Sequence, residues 1–166
     1  MVFPIYKTGN SLQSNSSEAL SLASKSSLGE IKQGKVIYSI YEALYLVEIR
    51  KAEILDSKLK KINFNHLLKK ANHTLHVIFK DLRNKGNIVK EGMKFGADFR
   101  VYKAGERPGQ AHAKYLLYAT NSNEKLNLKD FCAKARIAHT TKKILLLAVV
   151  DSEEDVNYYE INWKAN

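Results

Sequence analysis

Three side chains able to do acid–base or charge-stabilising chemistry stand in separate islands of the C-terminal half. They are Tyr102 in KFGADFRVYKAG, His112 in GQAHAKYLLY and Lys143 in ARIAHTTKKILLLAVVD. Cleavage of RNA by internal transesterification needs a base for the 2′-hydroxyl proton, an acid for the leaving 5′-oxygen, and a cation for the charge gathering on phosphorus. Histidine suits the acid role because its ordinary pKa, about 6.5, lies near neutral pH. Lysine suits the electrostatic role as a compact point charge. Tyrosine is an awkward base, with an ordinary pKa of about 10, unless cations stand beside it or it only orients the hydroxyl. No acidic cluster accompanies these islands. Asp98 and Glu106, the carboxylates nearest Tyr102 in sequence, lack the spacing of a two-carboxylate-plus-lysine metal site. The pattern therefore points to RNA cleavage by side chains alone, with no metal and no cofactor. Taken singly, each residue also fits a plainer role: a rim tyrosine, a solvated loop histidine, a lysine snorkelling from a buried strand.

Elements must exist to bring the islands together. Alternation and β-branched or aromatic content predict strands over Asn87–Glu91, Phe95–Lys103, Ala113–Thr120, Lys143–Asp151 and Val156–Trp163, with a helix over Leu128–Thr141. The loop Ala104–Ala111, carrying Gly105, Pro108 and Gly109, suits a hairpin connection that leaves Tyr102 and His112 at one sheet end. Lys143 falls at the helix-to-strand junction. Upstream, Ser39-Ile-Tyr-Glu42 is a capping-box pattern opening a helix over Tyr41–Lys51, with Ile40, Leu44, Tyr45 and Val47 inward. Further helices are predicted over Ser57–Ala71, with Leu59, Ile62, Leu67 and Leu68 inward, and over Thr74–Lys85, closed by Gly86. The serine-rich tract Ser11–Ser27 reads as loop with one short helix at Glu18–Ala23, since serine competes for backbone hydrogen bonds. The fold class expected is mixed α/β (α+β): a small mixed N-terminal domain over residues 1–74, then a nuclease domain over 75–166 whose mixed, largely antiparallel sheet is flanked by helices.

The net charge of +10 is uneven. From Asp151 onward there are five acids and one base, leaving 26 basic and 12 acidic side chains in the first 150 residues. A basic body favours a polyanionic partner bound through salt-sensitive phosphate contacts, and an acidic terminal segment can dock on another basic protein surface. One cysteine, Cys132, excludes a disulfide framework, and His139, two turns away, has no third ligand and reads as a helix-terminus histidine. The longest apolar run, Ile144–Val150, is too short to cross a bilayer, and no signal-peptide pattern is present, so a cytoplasmic location is expected.

In these islands the chain resembles the tRNA-splicing endonucleases, the archaeal tRNA-intron endonuclease family. The resemblance runs through VIFKDLRNKGNIVKEGMKFGADFRVY, HAKYLLY, RIAHTTKKILLLAVVD and VNYYEI, nearly all of residues 77–161, and GKVIYSIYEALYLVE looks like the family's N-terminal domain. It implies that Tyr102 is the general base, His112 the general acid and Lys143, rather than adjacent Lys142, the transition-state stabiliser. It also implies metal-independent cleavage of precursor tRNA, and sometimes precursor rRNA, at bulge–helix–bulge junctions, leaving a 2′,3′-cyclic phosphate and a 5′-hydroxyl. Arg136 matches an arginine that packs on a bulge base, while the second arginine of that clamp has no counterpart near Tyr158. Asp151, Glu153, Glu154 and Asp155 match an acidic loop that docks on a neighbouring subunit, and VNYYEINW a strand that pairs across a dimer axis. A chain of this length would then work in a tetramer, either of four copies or of two catalytic and two structural chains. The alternatives are a non-catalytic structural or RNA-binding subunit, which would need none of the three residues, and a metal-dependent nuclease of another family.

Overall fold

The computed structural model describes residues 1–164, which divide into two units, one of Met1–His76 and one from Val77 on. The first unit opens with β1 (Phe3–Thr8) and β2 (Ser11–Ser14), followed by α1 (Ser17–Ser26), β3 (Glu30–Lys32) and β4 (Lys35–Tyr38). After α2 (Ile40–Glu48), β5 (Ala52–Leu55) and α3 (Phe64–Lys70) complete it. Its sheet runs β3-β4-β2-β1-β5, antiparallel except for the β1–β5 pair.

Two expectations are corrected here. The serine-rich tract is not mostly loop. Ser11–Ser14 is a strand with Leu12 and Ser14 buried, and Ser17–Ser26 is a full helix. Serine serves at the helix end rather than against it: the Ser16 hydroxyl accepts from Ala19 N at 3.1 Å, and buried Ala19 and Ala23 let the helix sit close. The second error is the helix over Ser57–Ala71, which begins only at Phe64. The Asp56 carboxylate accepts from Lys58 N at 2.8 Å and Lys60 N at 2.9 Å, closing a turn in which Leu59 is 68% exposed rather than inward. By contrast, the capping box at Ser39 and Glu42 forms in full; α2 is buried all round from Glu42 to Leu46, with Leu44 and Tyr45 inward as expected and Ile40 and Val47 only half-buried.

The second unit follows α4 (His73–Asn84) with β6 (Ile88–Glu91), β7 (Phe99–Tyr102), β8 (Tyr115–Asn121), α5 (Leu128–Thr140), β9 (Ile144–Val150) and β10 (Val156–Ile161). The sheet order is β10-β9-β8-β7-β6, antiparallel except for β8 and β9, which are parallel and joined through α5. Parallel neighbours need such a crossover because no tight turn can reverse the chain twice. The sheet is covered on both faces. Ala135 and Ala138 of α5 pack with Leu116, Tyr118 and Leu145, while Phe79 of α4 meets Phe99 at 5.8 Å between ring centroids. Burying side chains of the size of Phe79 and Phe99 stabilises by about 1.5–3 kcal/mol each.

The strand expected over Phe95–Lys103 is shorter. A 3₁₀ turn at Met93–Phe95 ends in Gly96 at φ +63°, which breaks the extended run and leaves only Phe99–Tyr102 paired. Gly92 before that turn is needed for space. A Cβ there would lie 2.8 Å from the Ala97 carbonyl oxygen and 2.9 Å from the Phe99 carbonyl carbon, backbone atoms that cannot step aside. Gly92→Ala should therefore cost about 1–3 kcal/mol, read as a lower urea midpoint; an unchanged midpoint would show that the turn tolerates the methyl group.

Edge strand β10 is tied down by the Tyr158 hydroxyl, which donates to Asp81 Oδ2 of α4 at 2.7 Å. Burial first, then the Asp81 carboxylate, push the Tyr158 phenol far above its ordinary range. In the unfolded chain the phenol ionises near pH ~10, so this contribution is intact below that pH and drains as pH climbs toward the raised native value. Tyr158→Phe should lose about 1 kcal/mol at pH 7, yet show a shallower loss of stability above pH ~10 than wild type. Denaturant titrations at neutral and alkaline pH test both halves, and parallel pH profiles for the two proteins would contradict the assignment.

Candidate active site

The strand registers bring the three islands to one place. Val101 of β7 pairs with Tyr115 of β8, and Tyr115 pairs with Ile144 of β9. Tyr102 is one residue past the first of these positions. Lys143 is one residue before the last, and His112 three residues before Tyr115. Because β8 and β9 run parallel and β7 runs against them, all three residues sit at the same end of the sheet. Two backbone bonds lock that end: Lys114 N donates to Val101 O at 3.0 Å, and Ile144 N to Lys114 O at 3.0 Å.

A cavity of about 260 Å³ opens there, lined by Tyr102, His112 and Lys143 together with Phe95, Arg100 and the segment Gly109–Ala113. Its lining includes arginine, lysine, histidine and tyrosine and no carboxylate. Tyr102 is buried, in a small apolar cluster with Ile88 and Ala113. His112 is exposed on the loop, whose turn is closed by Gln110 N and Ala111 N donating to Arg107 O. Gly109 takes φ +86° in that turn, a conformation that side chains resist.

Lys143 is placed by the way α5 ends. Lys142 adopts φ +56°, reversing the chain, and Lys143 N donates to Ala138 O at 2.8 Å. The Lys143 ammonium then donates to Thr141 O at 3.1 Å and lies 4.9 Å from the centre of the Phe95 ring. Lys142 is exposed and does not line the cavity. Neither Asp98 nor Glu106 lines it either. The Asp98 carboxylate is spent on β8, accepting from Ala119 N at 2.8 Å. Among the described residues no group of three or more His, Cys, Asp or Glu side chains is placed to hold a metal ion.

The remaining predicted residues lie elsewhere. Arg136 is exposed on α5, with its guanidinium 5.8 Å from the centre of the Trp163 ring, and His139 stacks on the same ring at 5.9 Å. Asp151 closes the turn between β9 and β10, its Oδ1 accepting from Glu153 N and Asp155 N, each at 2.9 Å. Glu153, Glu154 and Asp155 are exposed on that turn. Two cavity residues, Phe95 and Arg100, were not anticipated from the sequence. Arg100 was legible in principle, since residues i and i+2 of a strand share a face.

The comparisons agree on one family. The model of the tRNA intron endonuclease catalytic C-terminal domain matches residues 73–158. A tRNA-splicing endonuclease of Methanothermobacter thermautotrophicus is 37% identical over 145 residues, 86% of this chain and 85% of that protein. Those of Thermococcus kodakarensis and Pyrococcus abyssi are each 34% identical, over 95% and 98% of this chain and 96% of either relative. With both of its units spanned by such relatives and its catalytic-domain match covering the whole cavity, the chain belongs to the tRNA intron endonuclease family.

Proposed function

We propose that this chain is the catalytic subunit of a tRNA-splicing endonuclease, cutting introns from precursor tRNA at bulge–helix–bulge junctions. The observation that carries this is the convergence of Tyr102, His112 and Lys143 on one cavity free of carboxylates. The relatives' shared name, tRNA-splicing endonuclease, supplies the substrate class.

The chemistry is an internal transesterification, as in RNase A, and classes the enzyme as a tRNA-intron lyase. Tyr102, acting as its phenolate, takes the 2′-hydroxyl proton and becomes the neutral phenol, and the freed 2′-oxygen bonds to the adjacent phosphorus. The phosphorus–5′-oxygen bond breaks, and protonated His112 gives its proton to that oxygen. The products are a 2′,3′-cyclic phosphate and a 5′-hydroxyl. Lys143 balances the charge that builds on the non-bridging oxygens, where a preplaced cation acts most strongly in the transition state. No step calls for a metal ion. Arg136 stacks on an unpaired bulge base, a role compatible with its exposed position over an aromatic ring, and precursor rRNA with the same motif is a further substrate.

The working enzyme is a tetramer of four such chains, or of two with two structural partners. Glu153, Glu154 and Asp155 dock on a basic surface of a neighbouring subunit, with Asp151 holding their turn in shape.

Incubated in excess EDTA with a bulge–helix–bulge RNA, the protein with any partner subunit should leave cyclic-phosphate ends. Cleavage seen only with added divalent ions would sink the metal-independent mechanism, and no cleavage under either condition would favour a non-catalytic subunit. His112→Ala should slow single-turnover cleavage about 10²- to 10⁴-fold; a variant as fast as wild type removes His112 from the mechanism. Converting Glu153, Glu154 and Asp155 to their amides should lower the molar mass seen by light scattering, and an unchanged mass refutes docking through this turn.

A further inference from the structure

The cavity holds a cation that the three-residue mechanism leaves without a task. Arg100 lies two residues before Tyr102 on β7, so the two side chains share a face of the sheet. Its guanidinium is held at both ends. Nε donates to the Glu91 carbonyl oxygen at 2.9 Å, and Nη1 donates to the Tyr102 hydroxyl oxygen at 3.4 Å. Among the described residues no carboxylate forms an ion pair with Arg100, so its charge is not spent on a counter-ion of this chain. An arginine in a concave site that is anchored to backbone, aimed at a phenol and left without an acid is an unusual investment for packing alone.

We propose that Arg100 is the positioning residue for Tyr102. A phenol oxygen carries one proton and two lone pairs. With one lone pair occupied by the guanidinium N–H, the oxygen is fixed in place, and its remaining capacity faces the cavity, where the 2′-hydroxyl of the RNA would lie. When Tyr102 carries negative charge, the same contact becomes a charge-assisted hydrogen bond and shortens. The Nε bond to Glu91 keeps the fork from swinging away, so the donor is in place before substrate arrives. The role of Arg100 thus depends on the proposed role of Tyr102, while His112 and Lys143, the other ionisable groups of the cavity, serve the leaving group and the phosphate.

A double-mutant cycle tests this with wild-type protein, Arg100→Gln, Arg100→Lys, Tyr102→Phe and the Arg100→Gln/Tyr102→Phe double variant. Single-turnover cleavage of a bulge–helix–bulge RNA is measured at saturating enzyme, alongside the Kd for that RNA. Arg100→Gln should slow the cleavage step about 10- to 100-fold, the worth of a hydrogen bond to a charged group, and leave Kd within about threefold (less than ~0.7 kcal/mol). Arg100→Lys, which keeps charge and fold but loses the fork, should recover part of the rate. On the Tyr102→Phe background the Arg100→Gln change should cost almost nothing. An equal cost on both backgrounds, or a loss that resides in Kd, overturns the positioning role while leaving Tyr102 in place. A Tyr102→Phe protein as fast as wild type overturns the base assignment itself, and Arg100's role with it.

Discussion

Parallel pairing of β8 with β9 is the constraint on which the site depends. An antiparallel partner for β8 would start at the far end of the sheet and put Lys143 a full strand length from Tyr102. The parallel arrangement requires the α5 crossover, and the crossover's exit sets which lysine lines the cavity. Lys142 in the left-handed region turns the chain, and the bonds from Lys143 N to Ala138 O and from Ile144 N to Lys114 O fix the register. A slip of one residue would exchange the faces of every β9 side chain. Leu145 on one face and Leu146, Ala148 and Val150 on the other are all buried, so a slip would exchange side chains of different size between two packed faces and misfit both. The apolar core of the sheet thus specifies the position of a charged group that is not part of it.

The C-terminal unit was largely legible in the sequence because its signals are local and mutually consistent. Apolar runs such as Ile144–Val150 have strand length, and Leu128–Thr140 has helical periodicity opened by an asparagine cap. Where local signals mislead, backbone geometry or a side chain bound to backbone is the cause. Asp56 stops a helix that the spacing of Leu59, Ile62 and Leu67 calls for, and Gly96 cuts short the run from Phe95. Serine's poor helix propensity hid the length of α1, expected only over Glu18–Ala23, since a single serine at the N-cap counts for more than several on the exposed face. For the site, position along the chain identified candidates but not their company. That Asp98 is withdrawn onto Ala119 N, and that Arg100 reaches the Tyr102 hydroxyl, depend on cross-strand neighbours that no linear pattern displays.

Glu160 aside, which lies 3.7 Å from Lys114, the cavity cations and the acidic turn lie at opposite ends of β9. Its start carries Lys143 beside a cavity with Arg100 and no acid, and its end leads into the turn that exposes Glu153, Glu154 and Asp155. Seven paired residues separate the two ends, roughly 23 Å at strand rise, which is more than two Debye lengths at physiological salt. The acids therefore do little to quench the potential of the cavity. Had the same carboxylates lain near Tyr102, they would have neutralised Arg100 and Lys143 by pairing, as Asp81 does for Lys85 at 2.7 Å on α4. Cations held close together in a concave site repel one another and raise the local potential, an arrangement that becomes favourable when a polyanion brings the missing charge. Segregation along one strand lets a single small sheet present an anion-attracting end and an acidic end without either cancelling the other.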